Sequence, residues 1–378
     1  MNIGVNAMQV RAAKSGVGQY IHALYDAATR VSPQDQFLIY CSQQNQPNYE
    51  YDTPNSATRV WGKSNARRPV RLAYEYAFLP GEISAQNFDV FHGASNFLPP
   101  RRVCPYVATI HDLSYYVHPE RCPFVRRQYW YAMTRRTVQV ADIILTVSQN
   151  SQRDIAHYFP HAAHKVRVVA SAAHQRFQVL SGTRQQSLIN DLDPALTQRP
   201  YILYLGTLEP GKNVTRIVQA FDAVAAQCPD HILVLAGDKG WLYESIFQAI
   251  ETARHKDRIF YLGHVTDDQA VHLFNYADVF VFPSLYEGFG LPPLEAMACG
   301  CPVITSATSS IPEVVGDAAI KIDPQSVEQL TAAMQQVLTS PARRQEMREA
   351  GLARAAGFSW ERTARETLDL FREAAAQG

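Results

Sequence analysis

The stretch Asp278-Val279-Phe280-Val281-Phe282-Pro283-Ser284-Leu285-Tyr286-Glu287-Gly288-Phe289-Gly290-Leu291-Pro292-Pro293-Leu294-Glu295-Ala296-Met297 decides how this chain is read. Its first five residues are mostly apolar, too few for a globular helix and rich in β-branched and aromatic side chains, which predicts a buried parallel strand ended by Pro283. Gly288 and Gly290 allow a tight turn and close approach of a ligand, and Pro292 and Pro293 suit the first turn of a helix from about Leu294 to Cys299, stopped by Gly300. The helix N-terminus then faces the turn with four unpaired N–H groups and a partial positive charge, an anion site matched to a diphosphate. Glu287 and Glu295, eight positions apart, flank that turn. Carboxylates are poor phosphate neighbours, but they accept charge-assisted hydrogen bonds from vicinal hydroxyls. The pair therefore fits a ribose on one side of a diphosphate and a sugar ring on the other. The plainer alternative is that Glu295 is only a helix-dipole partner.

The block EGFGLPPLEAMACGCPVI, residues 287–304, resembles the Glu-x7-Glu signature of retaining glycosyltransferases of family 4. That resemblance implies the α/β GT-B fold, two Rossmann-like domains facing across a cleft. Residues 1–185 would form an acceptor domain, 198–358 a nucleotide-sugar donor domain, and 359–378 a helix crossing back to the first. The pattern along the chain agrees with two α/β halves. Strands are expected at Ile3–Val5, Phe37–Tyr40, Val90–His92, Tyr106–Ile110, Ile143–Val147 and Val166–Val169, and after a polar linker near 180–200 at Tyr201–Leu205, Ile232–Leu235, Ile259–Leu262, Val279–Phe282 and Val303–Thr305. Helical patterns between them, beginning with Gln19–Arg30, argue for parallel sheets covered on both faces. The tail from Ser359 to Ala376 reads as an amphipathic helix with Leu368, Leu370 and Phe371 as its apolar contacts.

Two further motifs fall after strands. Gly206-Thr207-Leu208-Glu209-Pro210-Gly211-Lys212-Asn213 lies where an open α/β sheet binds ligands, and Lys212 supplies a mobile positive charge for a leaving diphosphate. Related sequences commonly carry an Arg beside that first Gly; Thr207 stands here instead, so either one cationic phosphate contact is missing or another arginine, Arg216, replaces it. His111 and Asp112 end the strand from Tyr106. By resemblance His111 is the active-site histidine near the donor sugar, with Asp112 fixing its ring or a neighbouring backbone. Gly16 and Gly18 resemble the glycine-rich loop that faces the donor phosphates and acceptor, and the resemblance implies that Gly206, Thr207, Val265, Gly288, Phe289, Gly290 and Leu291 line the donor. The plainer readings are a structural histidine, a helix-start lysine and ordinary turn glycines.

At 378 residues, 47% hydrophobic and 19% charged, the chain has the size and balance of two globular domains. No apolar run approaches the roughly 20 residues of a membrane span, and no signal-peptide pattern opens the chain, so a cytoplasmic enzyme is expected. Six cysteines without a Cys-x2-Cys pair read as reduced thiols. The formal net charge of zero hides an asymmetry: residues 1–190 hold 20 Lys+Arg against 11 Asp+Glu, and residues 191–378 hold 15 against 24. Arginines at 67/68/71, 101/102, 126/127 and 135/136 fit either an anionic membrane surface or a solvated face, and their scatter argues against nucleic acid.

The expected reaction is retaining transfer of a hexose onto a glycan or polyprenyl-diphosphate-linked acceptor. Motif similarity favours mannose from GDP-mannose, with UDP-glucose as the competing donor. Glu287 binds sugar hydroxyls and is not a nucleophile. No cofactor or metal is required, since the lone Asp-x-Asp, Asp191-Leu192-Asp193, falls in the linker. A nicotinamide dehydrogenase is the remote alternative, and Gly16-Val17-Gly18 lacks the third glycine of that fingerprint. Acid side chains turned away from the crevice, or salt-bridged inside one lobe, would overturn the reading of a sugar nucleotide gripped by the two acids.

Overall fold

The structure, a computed structural model, describes residues 1–10, 16–62, 68–181, 192–193 and 195–377. Two compact units divide it: Met1–Ser171 with Ser359–Gly378, and Ala172–Phe358.

In the first unit seven strands form one sheet. They are β1 (Asn2–Asn6), β2 (Gln36–Cys41), β3 (Ser56–Val60), β4 (Val90–Gly93), β5 (Tyr106–Thr109), β6 (Ile143–Thr146) and β7 (Val166–Val168), in the order β3-β2-β1-β4-β5-β6-β7. Every pairing is parallel. β4, β5 and β6 are buried along their whole length, as the apolar run in each requires once helices cover both faces. β3 is absent from the sequence reading because it is an edge strand, Ser-Ala-Thr-Arg-Val, with mostly exposed residues and no apolar alternation to detect.

The second unit repeats the plan. β8 (Tyr201–Leu205), β9 (Ile232–Ala236), β10 (Ile259–Gly263), β11 (Val279–Phe282), β12 (Val303–Ser306) and β13 (Ile320–Ile322) run in the order β10-β9-β8-β11-β12-β13, all parallel. In each sheet the chain order reverses beside the first strand, between β1 and β4 and between β8 and β11. Such a switch point opens a crevice at the carboxyl ends of the two strands.

The division at 171/172 lies upstream of the expected linker. Residues 172–181 belong to the second unit: Phe177 joins its core, the Leu180 amide donates to Asn275 Oδ1 (2.9 Å), and Asn275 Nδ2 donates to the Gln178 carbonyl (3.0 Å). Gly182, Asp191 and Pro194, and with them most of the expected linker, lie outside the described residues, as does Arg67.

The helix Trp360–Ala376 buries Trp360, Thr363, Ala364, Thr367, Leu368, Phe371 and Ala374, one stripe at helical period, while Leu370 stays half-buried at its margin. Trp360 meets Tyr20 edge-on (5.7 Å), Phe371 lies 5.2 Å from the His92 ring, and Thr363 Oγ1 donates to the Ala170 carbonyl (2.7 Å). All six cysteines are free thiols, and among the described residues no helix is long and apolar enough to cross a membrane.

Candidate active site

Within the second unit, the loops that follow β8 and β11 are bound to each other. Gly211 O accepts from the Leu285 amide (2.9 Å) and from Ser284 Oγ (3.2 Å), and Asn213 Nδ2 donates to the Pro283 carbonyl (3.1 Å). Asn213 is left-handed, φ 62°, which asparagine tolerates better than most side chains and which ends the turn Pro210–Lys212. The result places Lys212 and Glu287 together: Nζ stands 2.6 Å from Oε1, with the ammonium 5.5 Å from the Phe282 ring centroid. The sequence reading expects a mobile ammonium, but Lys212 is pinned.

Glu287 is thus salt-bridged inside its own unit, which overturns its reading as an acid free for a ligand and leaves the position of the pair in the crevice to argue for a sugar nucleotide. Its partner is Lys212 of the loop after β8, so the pair stands at the switch point and, partly exposed, is not sequestered in the core. Glu287 is fixed from the backbone as well. Its amide donates to Ser309 Oγ (3.0 Å), and Ser310 Oγ donates to the carbonyls of Glu287 (2.9 Å) and Phe289 (2.8 Å). Ser309 and Ser310 were not singled out from the sequence; the available signal was two hydroxyls just before the helix Ile311–Val315.

The helix after the glycine turn spans Leu291–Ala298, three residues earlier than expected, with Gly290 as its N-cap at φ 114°. Two consequences correct the sequence reading. Pro292 and Pro293 occupy the first turn and have no N–H, so of the four amides expected to face an anion only those of Gly290 and Leu291 remain. Glu295 lies in the second turn, not the first. It is buried, and burial followed by the Asp267 carboxylate pushes its pKa up to about 8, with Arg176 opposing. Arg176 is ion-paired to Asp267 and its Nε contacts His174 Nδ1 at 3.1 Å. The sequence pattern places Arg176 in the other domain, and nothing local to Asp267 shows that its carboxylate acts on Glu295.

The remaining donor-side candidates are backbone positions. Gly206 (φ 157°) is crossed by Gly237, whose φ of 129° and whose absent Cβ, which would lie 2.1 Å from Gly206 O, keep the ends of β8 and β9 in contact. Thr207 is exposed, its carbonyl accepting from Tyr204 OH (2.9 Å). Val265 is half-buried after β10, and Gly288 and Phe289 are buried within the turn. Arg216, the suggested substitute cation, donates to Asn213 Oδ1 (2.7 Å).

In the first unit His111 follows β5. Its Nε2 lies 3.3 Å from the Ala94 carbonyl, which can only accept, so Nε2 carries the proton; the ring meets Tyr20 edge-on at 4.6 Å. Burial holds its pKa below the ordinary histidine value. Asp112 does not orient that ring: its Oδ1 accepts from the Ser114 amide (2.8 Å). Gly16 and Gly18 fall in the first turn of the helix Gly16–Val31. A Cβ at Gly16 would meet nothing within 4 Å.

Two doubly wound parallel sheets, one with a paired ammonium and carboxylate at its switch point, have the architecture of an α/β enzyme whose ligands bind at the carboxyl ends of the strands. Residues 14–172 match the family described as Glycosyltransferase Family 4, and residues 192–354 match Glycosyl transferases group 1. O-antigen chain mannosyltransferase B of Escherichia coli is 35% identical over 284 residues, covering 75% of this chain and 74% of that protein. The serotype-specific mannosyltransferase WbdA of Escherichia coli is 31% identical over 308 residues, 79% of this chain but 36% of that longer protein. Among solved structures, sucrose-phosphate synthase from Thermosynechococcus elongatus superposes with a TM-score of 0.79 at 20% identity, covering 100% of both chains. The chain belongs to glycosyltransferase family 4, with the GT-B fold, and is a glycosyltransferase.

Proposed function

We propose that this enzyme moves mannose from GDP-mannose, with retention, onto a glycan or polyprenyl-diphosphate-linked acceptor in the synthesis of a cell-surface polysaccharide, O-antigen or exopolysaccharide, at the cytoplasmic face of the membrane. The 2.6 Å contact between Lys212 and Glu287 carries the chemistry. It offers an ammonium for the departing diphosphate and a carboxylate for the sugar hydroxyls at one switch point. The choice of sugar rests on the 35% identical O-antigen mannosyltransferase.

The anomeric carbon takes on oxocarbenium character as its bond to the diphosphate lengthens. The acceptor oxygen attacks from the face the diphosphate leaves, and its proton passes to a departing phosphate oxygen. Lys212 and the amides of Gly290 and Leu291 stabilise the developing negative charge. Glu287 orients the hexose, Glu295 takes the ribose hydroxyls, and no divalent ion takes part. His111, neutral and held by Ala94, contributes a positioned ring.

Initial rates with GDP-mannose and UDP-glucose, each with EDTA, test this reading. Turnover of GDP-mannose that survives EDTA, gives an α-linked product by NMR and falls roughly 100-fold or more in Glu287→Ala is expected. Near-normal turnover of that variant overturns the role of Glu287, and preference for UDP-glucose overturns the donor.

A further inference from the structure

The glycine turn from Glu287 to Gly290 rests on two supports, and one arginine joins them. The first support is the helix Ile311–Val315 with the two serines before it. Ser309 Oγ accepts from the Glu287 amide, Ser310 Oγ donates to the Glu287 and Phe289 carbonyls, and a Cβ added to Gly290 would lie 2.8 Å from Ile311 Cδ1. The second support is Phe358, the last residue of the second unit, whose ring meets the Phe289 ring edge-on at 6.0 Å.

Arg354, in the last turn of the helix Pro341–Ala355, reaches both. Its Nε donates to the Val314 carbonyl (2.7 Å) and its Nη2 to the Glu313 carbonyl (2.5 Å), so the guanidinium fork lies across carbonyls that a helix end leaves without an internal partner. The same guanidinium stands 5.1 Å from the Phe358 ring centroid. The reason for such a tie shows at Ser309, which is left-handed at φ 55° although it is not glycine. A conformation of that kind persists only where its surroundings over-determine it. The strained serine is also the one that receives the Glu287 amide, so the acid and the strain share one hydrogen bond. A helix of five residues gains little from its own hydrogen bonds and holds the serine poorly by itself. Arg354 fixes the far end of that helix.

We propose that Arg354 and Phe358 are positioning residues of the transfer reaction: together they hold the glycine turn in the arrangement that presents the Glu287 carboxylate to the hexose. The proposal rests on the reading of Glu287 as the acid that orients the sugar, and extends it to two side chains that act only through the turn.

Arg354→Met removes the fork and Phe358→Leu removes the ring contact. Loss of folded protein slows every donor alike, whereas a loosened turn blurs the choice between epimeric sugars. The decisive readout is therefore the ratio of kcat/KM for GDP-mannose to that for GDP-glucose, its C2 epimer, measured on full-length protein. In each variant the ratio should fall roughly tenfold toward parity, with kcat for GDP-mannose lowered as well. Arg354→Lys keeps the charge without the planar fork and should recover part of the ratio. An unchanged ratio in either single variant, whatever its absolute rate or melting temperature, overturns the positioning role of that residue and leaves a contact that only stabilises. If wild type turns over UDP-glucose and not GDP-mannose, the mannose assignment falls by itself. The ratio is then taken between UDP-glucose and UDP-galactose, and the positioning role stands or falls on it in the same way.

Discussion

Glu295 shows what a buried acid costs the fold that holds it. Its ordinary pKa of 4.5 rises to about 8, so the folded chain keeps a proton that the unfolded chain has released. Between about pH 4.5 and 8 the native state therefore binds more protons than the unfolded state, and stability falls as pH rises through that window. Glu75, buried beside Arg71 and raised to about 7, adds a second contribution of the same sign. Glu295→Gln removes the first: it should melt roughly 5 °C above wild type at about pH 8, with the gap closing toward pH 5 in thermal melts across pH. If Glu295 takes ribose hydroxyls as a carboxylate, GDP-mannose binding to wild type strengthens as pH rises toward about 8. The variant binds weakly and without that slope; calorimetric titration at several pH values reads the difference.

At the scale of elements, apolar runs announced most strands because burial on both faces leaves them no polar alternation. β8 and β11 were legible to the residue. β3 and the three-residue β13 were not, since an edge strand pairs on one side and can be polar or very short. The glycine turn was legible as a turn, but the helix starts at Leu291 because proline is at home in a first turn, a preference that does not say which turn. Tertiary pairing lay beyond local pattern: nothing in Lys212 or Glu287 alone announces that they meet 75 positions apart. Two glycines separate fold from function. Gly237→Ala drives a Cβ into Gly206 O at a backbone angle alanine avoids, so it should lower the melting temperature and weaken donor binding together. Gly16→Ala meets open space in a helix, so its melting temperature should hold while GDP-mannose turnover falls if that turn approaches the donor. Unchanged turnover would return Gly16 to an ordinary helix start.

For the whole molecule, division of the chain at the structural boundary tempers the charge asymmetry without abolishing it. The first unit holds 21 Lys+Arg against 15 Asp+Glu, and the second 14 against 20. The acidic tail is part of the reason, because residues 359–378 return to the basic unit, where Arg167 pairs with Glu373 and Arg372 with Asp35. That return was legible only through family resemblance: an amphipathic stripe shows that a helix is covered, not by what. Phe371 makes the return testable. It is fully buried against His92, whose own ring is held by Tyr25 OH (2.5 Å) and Thr109 Oγ1 (2.8 Å) and kept neutral by burial, with its pKa pushed down to about 3. Phe371→Ala leaves a cavity over β4 and β5 and should cost about 3–5 kcal/mol. Because this contact belongs to the first unit alone, amide hydrogen exchange should speed up in β1, β4 and β5 while β8, β9 and β11 keep their protection. Uniform loss across both sheets would mean that the two units unfold as one, and that the tail stabilises more than the unit it packs on.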